Sequence, residues 1–295
     1  METKFLVDPE QHVRDLKGPF DLSSERKKEA QYFEMETKYI HFGMNGKRLG
    51  TESYLLKIQY IPKAENVDEY RCSELQLQIN DGPFVTIPEL SNWSYVFNPM
   101  LSGADERGPL WGIPQEKFTN INDSLGKALP FSIRYAVYTN FIDFHSINDI
   151  FARPMKFGKG IQDLKDIGQR IVHPASFMEA SVNFDAEIKP GSTFRNGEVS
   201  LELKGLSLVD GSPCALVAYD AGESNLKMII PVSADQDSVS VGGSQYKGDI
   251  FVDLATRWVR KATLDEYLVT ETSAPDSPAK INQYTTRHII LRLIS

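Results

Sequence analysis

In the segment FIDFHSINDIF, His145 and Asp149 lie four residues apart, so on a helix their side chains share one face. An imidazole that titrates near neutrality, beside a carboxylate that fixes its tautomer, can move a proton. The same pair could hold a divalent cation if another ligand came from elsewhere, and His173 is the candidate. Asp143, two residues before His145, is less well placed. One reading is therefore a cofactor-independent or single-metal enzyme. In it His145 is base or ligand, Asp149 orients or co-ligates, and His173 completes the site. The other reading is an imidazole–carboxylate hydrogen bond on a partly buried helix, with no reaction attached.

Other chemistries find less support. No G-x-S-x-G is present, and Ser212 and Ser244 read as turn formers rather than nucleophiles. Cys72 and Cys214 are too far apart in the chain for metal-site spacing, and the expectation is two buried free thiols. Gly242 and Gly243 lack the Lys and Ser or Thr of a phosphate loop, and no G-x-G-x-x-G opens a helix, so no cofactor is expected. Aromatic density is more suggestive: Trp93, Trp111, Tyr138, Phe141 and Phe144 fall in one stretch of the chain. Such a cluster can line an apolar pocket, and equally it can be plain core.

Length and composition limit what can position these residues. A chain of 295 residues with 41% hydrophobic and 24% charged side chains is an ordered globular protein able to bury a large core. A formal charge of −8 repels phosphate backbones, so no nucleic-acid partner is expected. The most apolar run, IRYAVYTNFIDF, is broken by Arg134, Asn140 and Asp143, which excludes an integral membrane helix there. The opening METKFLVDPEQHVRDLKG has no apolar signal core. As printed, the chain is expected to be cytoplasmic; if a signal peptide was removed before Met1, it is periplasmic and a disulfide gains weight.

Residues 1–35 read as a polar N-terminal arm with little to bury. Residues 36–295 read as one domain with a loop and helix insertion at about 99–173. Period-two patterns mark strands: TKYIHF, then Tyr54, Leu56, Ile58 and Tyr60, then Leu75, Leu77 and Ile79, then FVTI and WSYVF. Residues 99–131 form a long proline- and glycine-rich excursion. After Pro130, apolar residues at spacings of three and four predict a helix up to Pro154, and Ile161, Leu164, Ile167 and Ile171 predict a second one. Strands resume with VNFDAEI, FRNGEVSLELKGLSLV, PCALVAY and NLKMIIPV, the last two separated by a DAGES turn. Gly205 shifts the phase of its strand and predicts a bulge. A long hairpin follows around Ala255 and Thr256, and RHIILRLIS closes the chain. In the hairpin, Trp258, Ala262 and Leu264 share a parity with Arg260, so that face is expected to be a rim. The fold expected is mainly β, a large curved antiparallel sheet, half-barrel or barrel-like, with two helices inserted mid-chain.

The hairpin GDIFVDLATRWVRKATLDEYLVTE, through Gly248, Ile250, Val252, Asp253, Thr256 and Val259, resembles the recurrent hairpin of curved-sheet half-barrel proteins typified by bacterial lipoprotein carriers. The likeness covers about 25 residues and transfers no ligand contact. It implies a bent sheet around a hydrophobic cavity covered by helices. Arg257 stands where a turn glycine is common, and the chain is longer than those proteins usually are. On this basis the first expectation is a binding or carrier protein for an apolar small molecule lined by Trp93, Trp111, Tyr138, Phe141 and Phe144. The enzyme built on His145, Asp149 and His173 is the second, and a structural or protein-interaction module is the third.

Overall fold

Where apolar and polar residues alternate, as at Tyr54, Leu56, Ile58 and Tyr60, the chain forms strands with one buried face. The computed structural model describes residues 9–23, 25–63, 68–97, 103–105, 108–110, 113–151, 159–175, 180–181, 184, 187–275 and 279–294. In chain order the strands are β1 (Gln31–Gly43), β2 (Arg48–Pro62), β3 (Asp68–Ile79), β4 (Val85–Thr86), β5 (Trp93–Phe97), β6 (Gly103–Asp105), β7 (Gly108–Leu110), β8 (Arg170–His173), β9 (Ala180–Ser181), β10 (Thr193–Arg195), β11 (Val199–Val209), β12 (Ser212–Ser233), β13 (Gln236–Asp253), β14 (Val259–Ser273) and β15 (Ile281–Leu293). The helices are α1 (Pro9–Asp15) and α2 (Phe131–His145), the second continued by a single π-helical turn over Ser146–Ile150. No helix among the described residues is long and apolar enough to cross a membrane.

Thirteen strands make one antiparallel sheet in the order β4-β3-β2-β1-β15-β14-β13-β12-β10-β9, with β5 beside β3 and with β11 joining β12 to β8. The sheet curves and does not close on itself. Its centre is β1, hydrogen-bonded to β2 on one side and to the last strand, β15, on the other. On the inner face, Phe33 and Met35 of β1, Tyr54, Leu56, Ile58 and Tyr60 of β2, and Ile289 and Leu291 of β15 are buried. Against them α2 sets Ile133, Val137, Phe141 and Phe144. Full burial of each such side chain contributes roughly 1.5–3 kcal/mol. Cys72 and Cys214 are buried and free, and burial pushes both thiols up to about 12.

Bulges bend the long strands. In β3 a register shift opposite Lys57 and Ile58 lets both Cys72 and Leu75 face inward. The expected bulge at Gly205 is present, with a register shift and φ +159. At Gly248 the backbone of β14 comes so close that an added Cβ would sit 1.9 Å from the Thr263 carbonyl oxygen. Only glycine admits that approach.

Several expectations are corrected. The stripe Ile161, Leu164, Ile167, Ile171 is no helix: it holds a 3-10 turn at Ile161–Asp163 and strand β8. Ile167 is exposed, so the apolar spacing of three and four had no continuous face to bury. DAGES is no turn: β12 runs unbroken through it with a register shift between Ala221 and Ser224, which lets one strand pair first with β11 and then with β10. The N-terminal arm is not merely solvated. Phe20 and Leu22 are buried and β1 already begins at Gln31. Trp258, Ala262 and Leu264 lie in the core instead of on a rim, because Arg260 turns aside to Asp253 at 2.6 Å. Of VNFDAEI only Phe184, Glu187 and Ile188 are described, and Phe184 forms a lone bridge. The expected excursion carries the β6–β7 hairpin, and it contributes Ile113, Phe118, Ile121 and Leu129 to the core.

Candidate functional site

The pair singled out by spacing meets as helical geometry requires. His145 Nδ1 lies 2.7 Å from Asp149 Oδ2, and both side chains are fully buried. A carboxylate only accepts, so Nδ1 carries the proton and Nε2 accepts from the Tyr95 hydroxyl at 2.8 Å. The Tyr70 hydroxyl donates to Asp149 Oδ1 at 2.9 Å, and Arg26 donates to the same oxygen at 2.8 Å and to the Asn148 carbonyl. Phe97 stacks on the imidazole at 3.8 Å, while Tyr70, Tyr95 and Phe144 meet it edge-on. Burial holds the His145 pKa below its ordinary range, against the opposing pull of Asp149.

This network is closed to solvent, and both imidazole nitrogens are engaged. His173 ends β8, opposite Val199, with no hydrogen bond or ion pair to His145 or Asp149. Among the described residues no three His, Cys, Asp or Glu side chains converge as a metal site. Chemically the arrangement fixes an imidazole and its neighbours in place. It presents no reacting atom to a substrate.

The aromatic residues pack on one another. Trp93 lies 5.6 Å from Phe118 and 5.7 Å from Phe141; Phe118 lies 5.3 Å from Tyr138; Phe144 lies 5.4 Å from Phe33. Tyr138, Phe141 and Phe144 are buried and Trp93 is partly so. Trp111 lies outside the described residues.

A second polar group stands on the other side of α2, and solvent reaches it. The stripe Tyr135, Thr139, Ile142, Asp143 faces the inner surface of the sheet. There the strand registers align one transverse row: Glu52 of β2, Tyr39 of β1, Arg287 of β15, Glu266 of β14 and Tyr246 of β13. Arg287 joins the layers, with NH1 2.5 Å from Asp143 Oδ2 and Nε 2.7 Å from Glu266 Oε2. These three side chains keep 12–15% of their surface exposed. The Arg287 guanidinium lies over the Tyr39 ring at 5.8 Å, and the Thr139 hydroxyl donates to the Ala136 carbonyl. Tyr219 donates to the Thr263 carbonyl at 2.8 Å and stacks on Phe151 at 5.7 Å. One strand residue further along, His41 lies 2.9 Å from Thr285 and 3.4 Å from Glu52.

The electrostatics of this cleft are unusual. Burial pushes the Asp143 carboxyl up to about 6; Arg287 opposes that push and Glu266 adds to it. Burial, with Glu266 beside it, pushes Tyr246 up to about 12 and Tyr135 is raised as well. The hydroxyls of Tyr135 and Tyr246 have no hydrogen-bond partner among the described residues, and both rings are only half-buried.

Spacing arguments passed over this cleft. Glu266 keeps only 15% of its side chain exposed, while its neighbour Asp265 is half-exposed and paired with His288 at 2.7 Å. The available signal was parity. Arg287 shares it with buried Ile289 and Leu291, and Glu266 shares it with buried Ala262 and Leu264. A charge on the core side of a strand is the informative exception.

No family model matches the chain, and no curated protein matches it either. Similar solved structures include a triple mutant of the Rhodopseudomonas blastica porin (6% identity, 90% of this chain and 100% of that one, TM-score 0.23). Another is the anion-selective porin from Comamonas acidovorans (9%, 90% and 99%, TM-score 0.22). Overlaps of this size establish neither fold nor function for the chain.

Proposed function

We propose that the protein is a non-catalytic binding or carrier protein for a hydrophobic small molecule with one polar end. The molecule sits between the inner face of the curved sheet and α2. One observation carries this reading: between α2 and the row Tyr39–Arg287–Glu266–Tyr246, the charged groups of Asp143, Arg287 and Glu266 keep 12–15% of their surface exposed, whereas His145 and Asp149 keep none. The walls are partly apolar, with Ile142, Phe151 and Leu268 half-buried among the tyrosine rings. Such mixed linings, mostly carbon with a few placed polar groups, suit small-molecule sites. Of the aromatic residues expected to line the ligand, Trp93, Tyr138, Phe141 and Phe144 instead pack in the core with Phe118 and Phe33.

The test is titration of the purified protein with an alkyl probe, beside a Thr139→Trp variant. Thr139 is half-buried on the cleft face of α2, and an indole there fills the space. Saturable binding of one molecule per chain that is lost in the variant is expected, with both proteins equally folded by circular dichroism. Unchanged binding in Thr139→Trp would place the ligand elsewhere and end this reading.

A further inference from the structure

We propose that the cleft selects ligands whose polar end is a protonated amine and discriminates against carboxylates. This rests on the reading of the cleft as a ligand site and adds the chemistry of the ligand's head. Three features carry it.

The first is charge. Asp143 and Glu266 both lie on Arg287, so the only cation in the row is already shared between two carboxylates. The group is left one negative charge in excess, and Glu52 at the end of the row adds another. An incoming carboxylate would meet a guanidinium whose charge is already matched by two carboxylates. Partly buried charges of one sign are poorly screened and weigh heavily on what can enter.

The second is the tyrosine rings. Tyr39 pairs with Arg287 across the strands and lies under its guanidinium at 5.8 Å, while Tyr246 pairs with Glu266 and lies 6.2 Å from Tyr219. The faces of such rings attract cations, most strongly where water is partly excluded. The third is hydrogen bonding: the Tyr135 and Tyr246 hydroxyls have no partner among the described residues and can accept from an ammonium N–H. Arginine, phenols and carboxylates in this ratio therefore favour a donor-rich cation over an acceptor-only anion.

The test is isothermal titration calorimetry near pH 7.5 with three probes that share one twelve-carbon chain: dodecylamine, dodecanol and dodecanoate, each below its micelle concentration. The amine should bind about tenfold or more tighter than the acid, with the alcohol between them. Glu266→Gln, which keeps the shape and removes one carboxylate, should shrink the amine-to-acid ratio to within about threefold. Glu202→Gln, which removes an exposed carboxylate paired with Lys204 outside the cleft, should leave the ratio intact. Dodecanoate binding as tightly as the amine, with both lost in Thr139→Trp, would overturn the head-group assignment and leave the carrier reading standing. Binding of all three probes untouched by Thr139→Trp, or no binding of any, would overturn both.

Discussion

Arg26 and Asp149 meet at 2.8 Å in the core although 123 residues separate them, with 8% and 0% of their side chains exposed. The guanidinium also lies over the Trp258 ring at 4.3 Å, and Trp258 Nε1 donates to the Lys27 carbonyl. The N-terminal segment is thereby sewn to both α2 and the hairpin. Removing the cation takes a charged partner at 2.8 Å from a fully buried carboxylate, a change that costs about 3–5 kcal/mol. Arg26→Ala should therefore lower the unfolding free energy measured in urea by that much, and Arg26→Met combined with Asp149→Asn should recover part of it. A loss below about 1 kcal/mol in Arg26→Ala would show that the segment detaches freely.

Two titrations pull stability in opposite directions. His145 is held below its ordinary value of 6.5 by burial, so the unfolded chain binds its proton more readily. Its contribution is complete above about 6.5 and is lost as pH falls through the lower folded value. Asp143 is raised from 3.8 to about 6 by burial. Its protonated form is the one favoured by folding, so its contribution is complete below about 3.8 and is lost as pH rises through about 6. Urea unfolding from pH 4 to 8 should show wild type gaining on His145→Gln as pH rises, and losing ground to Asp143→Asn across the same range. Parallel profiles for all three proteins would refute both assignments.

How much of this was legible beforehand divides along physical lines. Alternation marked the buried residues of β2 at Tyr54, Leu56, Ile58 and Tyr60 because a sheet with one wet face needs that period. The i, i+4 spacing placed His145 on Asp149 because helical geometry is local. The pairing of Arg26 with Asp149 and of Arg287 with Asp143 was not legible, since each carboxylate lies more than a hundred residues away. Solvent access was not legible either: spacing puts His145 beside Asp149 but does not tell which face of α2 the core will close. The bulge in β12 hid because Gly222 sits among residues that suit a turn equally well. Only its approach to the Glu198 backbone makes it a bend within one strand.

Gly248 is the tightest point of the sheet. A Cβ there would lie 1.9 Å from the Thr263 carbonyl oxygen and 2.8 Å from the Tyr219 hydroxyl. Relief requires parting β13 from β14 and breaking the Tyr219 to Thr263 hydrogen bond. Gly248→Ala should cost about 3 kcal/mol or more and lower the melting temperature by several degrees. Gly126→Ala, at φ +81 with open space around it, should cost about 1 kcal/mol from backbone strain alone. Equal melting temperatures for the two variants would mean that the β13–β14 crossing is looser than this.

The end of the hairpin separates two neighbouring residues by role. Val252 is buried on the inner face opposite Val259, with no polar partner in reach, so Val252→Asp buries an unpaired carboxylate at a cost of about 3 kcal/mol or more. Asp253 is also buried, but its carboxylate accepts the amide N–H groups of Ala255 and Thr256 at 2.8 Å each and meets Arg260 at 2.6 Å. Burial works to raise its pKa, and the Arg260 and amide hydrogen bonds prevail and hold it low. In Asp253→Asn the side-chain oxygen can still accept the two amides, while the bond to Arg260 loses its ionic partner, for a loss of about 1–2 kcal/mol. Both variants should thus unfold at lower urea than wild type, Val252→Asp by the wider margin. Since the Asp253 penalty comes from charge, it should also fade on acidification as the wild-type carboxylate protonates, whereas the Val252→Asp penalty should shrink only because its own unpaired acid becomes neutral. An Asp253→Asn protein as stable as wild type near pH 7 would show that the carboxylate is not what closes the turn.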